Sequence, residues 1–96
     1  MRKHTPIHPG ETLNEDFLKP LKMSARALAA HIDVPANRIT RIVKGETAIT
    51  ADTAVRLEQA FGVSAKVWLG LQAQYELIKT LAATKGRKKI KPLLAA

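Results

Sequence analysis

The chain has 96 residues, no cysteine and a formal net charge of +8. That length supports one domain with a small core, and the missing thiols exclude disulfides and cysteine-ligated metal and fit a reducing cytosol. No apolar run at the start suggests a signal peptide and none approaches the length of a membrane span, so a cytoplasmic protein with no membrane partner is expected.

Residues 1–7 read as a flexible arm. The stretch "HPGE" then reads as a helix start. His8 is the expected N-cap, Pro9 takes the first helical position, and Glu11 stands where its carboxylate can reach back to the His8 amide. Leu13, Phe17 and Leu18 share a face, which predicts a short amphipathic helix to about Leu18. Pro20 ends it and disfavours helical geometry at Lys19. Glu11, Glu15 and Asp16 make its outer side acidic.

Ser24 is a good N-cap for a second helix, "SARALAAHI", with Ala27, Leu28 and Ile32 as its apolar positions. Pro35 is tolerated in the first turn of a third helix, which ends at Gly45, where positive φ is favoured. Two short helices joined by about three or four residues describe a helix-turn-helix. Thr50 caps a fourth helix, with Ala54, Leu57 and Phe61 on one side and Gly62 at its end. Ser64 caps a fifth, over residues 65–83. No strand-like alternation competes, so the fold class is all-α with five helices. The remainder, "KGRKKIKPLLAA", holds Gly86, Pro92 and a charge run and reads as a disordered basic tail. The organisation is therefore an arm over 1–7, a helix-turn-helix domain over 8–83, and a basic tail over 84–96.

Charge singles out the third helix. The tail from Lys85 to Lys91 holds five cations and no acid; without it, eleven cations face eight acids. Between Lys22 and Lys44 lie five of those eleven, against Asp33 alone. At about 100° per residue, Ile39, Ile42 and Val43 form one apolar stripe of the third helix, and Asn37, Thr40, Arg41 and Lys44 lie opposite. Arg38 borders the stripe. Asparagine pairs with adenine, arginine with guanine, and small methyl groups touch thymine, so Ala36, Asn37 and Arg41 are the expected base readers near the helix N-terminus. Arg38 and Lys44 are better placed to meet phosphates and are the expected backbone contacts. The implied partner is double-stranded DNA.

On the fifth helix the same projection groups Val67, Trp68, Leu71, Tyr75, Ile78 and Ala82 as the domain-facing side. Leu69, Ala73 and Leu77 form a second apolar row, which predicts a homodimer through this helix. A two-fold pair would set two reading helices about 34 Å apart on a palindromic operator.

The stretch "MSARALAAHIDVPANRITRIVKG" resembles the helix-turn-helix of the Xre (lambda repressor-like) family. With "HPGETLNEDFLKPL", "VPANRI", "ITADTAVRLEQAFG" and "WLGLQAQYEL", residues 7–78 look like the HigA antitoxins of HigB–HigA modules. The resemblance implies a five-helix lambda repressor-like domain, a homodimer, repression of its own operon, and neutralisation of a HigB-type mRNA-cleaving toxin. It also implies that Ala36, Asn37 and Arg41 face bases while Ser24, Arg38 and Thr40 flank them. Ala36 stands where family members often carry a larger polar residue. A stand-alone Xre-family repressor without a toxin is the alternative.

No enzyme is expected. His4, His8 and His31 lack metal-pair spacing, Ser24 and Ser64 are accounted for as caps, and Glu15 and Asp16 point to different sides of a helix. Neither metal nor cofactor is expected. For the tail, plain solvation, added phosphate contacts and a turnover signal in the final "LAA" are the three readings.

Overall fold

The computed structural model describes residues 6–94. Most of the expected arm and the last two residues of the tail, including most of the "LAA" signal, lie outside that range. Five helical elements follow in chain order. They are α1 (Pro9–Leu13), continued by a π-helical turn (Asn14–Leu18), then α2 (Ala25–His31), α3 (Ala36–Val43), α4 (Ala51–Phe61) and α5 (Ala65–Ala83). No strand occurs among the described residues, and none of the helices is long and apolar enough to cross a membrane. Past Ala83 the described residues form only turns, bends and irregular chain.

The helix starts are where the caps place them. Ser24 Oγ accepts from the Ala27 amide at 3.0 Å, Thr50 Oγ1 from Thr53 and Ser64 Oγ from Val67. Each side chain satisfies an amide that the helix itself leaves without an acceptor. The start of α1 differs from expectation. His8 is the N-cap with Pro9 behind it, but the imidazole does the capping: Nδ1 accepts from the Gly10 amide at 2.9 Å. Glu11 faces solvent instead of closing a reciprocal box.

The end of the first helix also departs from expectation. Lys19 keeps helical angles directly before Pro20, and its amide donates to the Asn14 carbonyl five residues back, at 2.9 Å. A π turn carries more residues than an α turn, which makes room for a proline ring that would otherwise meet a carbonyl four residues back. The chain then reverses through Lys22, at φ 54°.

The core is built from one side of every helix. Leu13, Leu28, Ile39, Ile42, Leu57 and Trp68 are fully buried, with Leu18 and Ile49 beside them. Phe17 packs against both Trp68 and Phe61, ring centroids 5.5 and 4.9 Å away. In α2 it is Ala29, not Ala27, that joins Leu28 and Ile32 inside.

In α5 the inward line is Trp68 and Gln72, flanked by half-buried Leu71, Tyr75 and Ile78, whereas Val67 and Ala82 face out. The apolar pattern hides this because the buried centre is polar. Gln72 Oε1 accepts from the Ile49 amide at 2.9 Å, and Gln72 Nε2 donates to Glu76 Oε2 at 2.8 Å. Ile49 lies in the α3–α4 connection, so one glutamine ties that loop to α5 and satisfies a buried amide.

The start of α1 is pressed onto the end of α3. A Cβ at Gly10 would stand 1.7 Å from the Ile42 carbonyl oxygen, so only glycine allows this approach. The His8 ring sits against Gly45 and makes an edge-to-face contact with Tyr75, centroids 4.8 Å apart. "HPGE" thus clamps the C-terminal end of α3 against α5.

Candidate nucleic-acid interface

Helix α3 begins after Pro35 and has no side-chain cap. Its far end is closed by two backbone bonds, Gly45 N–H to the Ile42 carbonyl at 2.9 Å and Glu46 N–H to the Arg41 carbonyl at 2.8 Å. Gly45 takes φ 76° there, the left-handed geometry a closing glycine supplies. The α2–α3 turn passes through Asp33 at φ 63°, a conformation that aspartate tolerates better than most residues. Stop and turn together fix how α3 leaves α2.

Ile39 and Ile42 are buried, with Val43 half-buried beside them. On the other side Asn37, Arg41 and Lys44 are exposed, as the helical projection anticipates. Thr40 and Ala36 are half-buried, and Ala36 packs against the core, so it offers at most a methyl surface. Ser24 is exposed at the start of α2, with its hydroxyl already engaged as a cap. Arg41 Nε lies 3.7 Å from Glu46 Oε1, both well exposed, a pair that water and salt screen easily.

Arg38 has a different setting. Its Nη1 donates to Asp52 Oδ2, in the first turn of α4, at 2.5 Å. The same oxygen accepts from Arg56 Nε at 3.0 Å. Arg56 Nη1 in turn donates to the Ile32 carbonyl at 2.7 Å and reaches the Asp33 carbonyl at 3.5 Å. One carboxylate therefore joins α3, α4 and the helix-turn-helix turn. Its two arginine partners, Arg38 foremost, hold the Asp52 carboxyl below its ordinary value. The i,i+4 spacing of Asp52 and Arg56 is legible in the sequence, but Arg38, fourteen residues from Asp52, carries no such signal.

An open groove of about 300 Å³ runs beside α3. Asn37, Arg38 and Arg41 form one wall, and Thr47, Thr50 and Asp52 belong to the other. The expected base readers Asn37 and Arg41 thus share a concave surface with the Arg38–Asp52 pair. Lys44 lies beyond it.

The second apolar row of α5 is divided. Leu69 is half-buried and packs on the domain core, whereas Ala73 is exposed and Leu77 is 58% exposed. The row continues one turn further to Leu81, 62% exposed. No trio of histidine, aspartate and glutamate side chains placed to hold a metal occurs among the described residues.

The helix-turn-helix family HTH_3 matches residues 15–68. Virulence-associated protein I of Dichelobacter nodosus is 51% identical over 71 residues, which are 74% of this chain and 66% of that protein. Antitoxin HigA-1 of Vibrio cholerae is 30% identical over 95 residues, covering 98% of this chain and 90% of the relative. In three dimensions the chain is similar to the Pseudomonas aeruginosa antitoxin HigA, solved with the higBA promoter. The TM-score is 0.87 at 40% identity, over 94% of this chain and 100% of that one.

Proposed function

Because the chain belongs to the HTH_3 helix-turn-helix family and to its HigA antitoxin branch, we propose that it binds a palindromic operator as a homodimer, represses its own operon and neutralises a HigB-type mRNA-cleaving toxin. The observation that carries the DNA reading is the α3 face. Asn37, Arg41 and Lys44 are exposed together on a helix whose opposite side is anchored in the core. Asn37 and Arg41 offer bidentate partners for adenine and guanine edges, and Lys44 offers a point charge to phosphate. That a P. aeruginosa antitoxin of the same fold is solved with its higBA promoter supports the DNA-binding reading.

The dimer reading is supported by the exposed row Ala73, Leu77 and Leu81 on α5, with Leu69 at its inner edge. The toxin reading is supported by kinship with antitoxins. The acidic outer side of the first helix, with Glu11, Glu15 and Asp16 exposed, suits a basic RNA-cleaving partner.

The test separates readers from anchors. A preferred duplex is selected from a random-sequence pool with the wild-type protein. Arg41→Ala is expected to cost about 1–3 kcal/mol on that duplex and to relax the preference at one base step. Lys44→Ala is expected to weaken all duplexes alike and to reduce the salt slope by about 0.9 per protomer. Equal affinity of Arg41→Ala and wild type on every duplex rejects α3 as the reader. Co-purification with the product of a neighbouring small basic gene tests the toxin half, and independent elution of the two proteins rejects it.

A further inference from the structure

The geometry points to Asp52 as a specificity-setting residue that withholds the Arg38 guanidinium from DNA phosphates until Asn37 and Arg41 have engaged their bases. This deepens the DNA-binding reading and rests on it.

A carboxylate is a poor fit to a surface meant for a polyanion, yet Asp52 lines the groove that holds Asn37, Arg38 and Arg41. Simple neutralisation by a neighbour would account for one arginine, but Asp52 takes two. Their assignments differ. Arg56 is committed: besides Asp52 it holds the Ile32 carbonyl at 2.7 Å, part of the turn between α2 and α3. Arg38 has Asp52 as its partner among the described residues, and the pair is exposed to solvent, with side-chain exposures of 39% and 58%. A pair in that setting is worth little and exchanges readily. A phosphate brought to within hydrogen-bond distance of Arg38 can therefore replace the carboxylate.

What brings it there differs between duplexes. A non-specific complex is held by diffuse phosphate attraction, with counterion release as its source. In such a complex each phosphate must compete with Asp52 for Arg38 while also meeting the carboxylate's repulsion. When Asn37 and Arg41 lock onto base edges, the register of the backbone is fixed and a phosphate is delivered to the groove wall at no further orientational cost. Arg38 then contributes on the right sequence and stays paired on the wrong one. The gain is in discrimination, by penalising competitors as well as by rewarding the cognate site.

The experiment uses the full chain, a duplex selected from a random pool by the wild-type protein, and a mixed-sequence duplex of equal length. Affinities are measured across a salt series for wild type, Asp52→Asn, Arg38→Gln, Arg56→Gln, and Asp52→Asn combined with each of the two arginine variants. For Asp52→Asn the mixed-sequence duplex is expected to bind about tenfold more tightly at low salt, with a salt slope steeper by about 0.9 per protomer. The selected duplex should gain less, so the ratio between the two falls. The effect should disappear in the Arg38→Gln background and persist in the Arg56→Gln background.

Equal tightening with and without Arg38 would overturn the proposal, because removal of a negative charge would then suffice. Weaker binding of both duplexes by a folded Asp52→Asn protein would also overturn it and assign Asp52 to bracing α3. Unchanged affinity would show that Arg38 is never withheld. If wild type binds neither duplex, the DNA-binding reading itself fails, a result distinct from these three. Should Arg38→Gln melt early, Arg38→Met provides the same uncharged background with the aliphatic stem kept.

Discussion

Helices α3 and α5 each present two faces, and the outward face differs in kind. In α3 the inner face is Ile39 and Ile42 and the outer face is Asn37, Arg41 and Lys44, so water and polyanions are the media it suits. In α5 the innermost pair is Trp68 and Gln72, and the outer row of Ala73, Leu77 and Leu81 is apolar. Such a row on a small domain leaves two large leucines more than half exposed, which burial against a second copy would correct. The lesson is that the chemistry of the outward face, not helicity or amphipathicity, distinguishes the two helices. One has the chemistry of a nucleic-acid surface and the other that of an apolar contact surface. Position supports the division, since the groove beside α3 is walled by α4 and its preceding loop, and no α5 residue lines it.

The largest effect expected from breaking this division comes from α5. Leu77→Glu combined with Leu81→Glu changes only exposed side chains, so the fold should hold while the proposed dimer face becomes charged. Sedimentation is expected to give monomers. Losing the linkage between two reading helices should cost about 10²- to 10⁴-fold in affinity for a palindromic duplex. A dimer that survives both substitutions places the interface elsewhere. Leu69 is a worse choice for this test because it also packs on the core, and a charge there would confuse association with stability.

A smaller loss is expected from the anchorage of α3. Gly10→Ala puts a methyl group where the Ile42 carbonyl oxygen already stands. Backbone cannot rotate away as a side chain would, so α1 must shift off α3. Overpacking of this kind costs about 1–3 kcal/mol, or roughly 4–8 °C in Tm per kcal/mol for a domain of this size. Because the clash is at the end of α3, DNA affinity should fall with stability. The α5 outer row is remote from the clash, so self-association measured below the melting range should stay intact. A Gly10→Ala protein with wild-type Tm would refute the close approach.

The contrast also sorts what was legible in the sequence. Caps and stops are local, and Ser24, Thr50, Ser64, Gly45 and Gly62 mark their helix ends where the structure has them. The α3 stripe was legible because its buried residues are apolar and its exposed ones polar. In α5 the apolar pattern points Val67 and Ala82 inward, but both face out because the buried centre is Gln72, a polar residue that breaks the pattern. Its partner, the Ile49 amide, lies 23 residues away in sequence. The Arg38–Asp52–Arg56 linkage is only partly legible for the same reason: two of its residues sit on one helix, but the third comes from another and only the fold brings it near. At the start of α1, sequence spacing favours Glu11 closing back onto the His8 amide, whereas the side-chain capping bond observed runs from the Gly10 amide to the His8 imidazole.

That imidazole gives the smallest and most selective prediction. His8 must be neutral at Nδ1 to accept the Gly10 N–H, and burial holds its pKa below the ordinary 6.5. A backbone hydrogen bond with Thr47 and the charge of Glu76 draw it back up, while Lys79 pushes it further down. The unfolded chain therefore binds the proton more readily than the folded one. Stability should be complete above pH 6.5 and fall as pH drops from there to the lowered folded value, levelling off beneath it. His8→Asn keeps a capping oxygen at this position and removes the titration. Thermal melts of the two proteins should converge in slope above pH 6.5 and separate below it, with only the wild type losing Tm on this account. Because His8 sits against Gly45, at the end of α3, the same acid range should loosen the reading helix while leaving the Leu77–Leu81 row untouched. Parallel melting curves across that range would show that His8 does not couple protonation to the clamp.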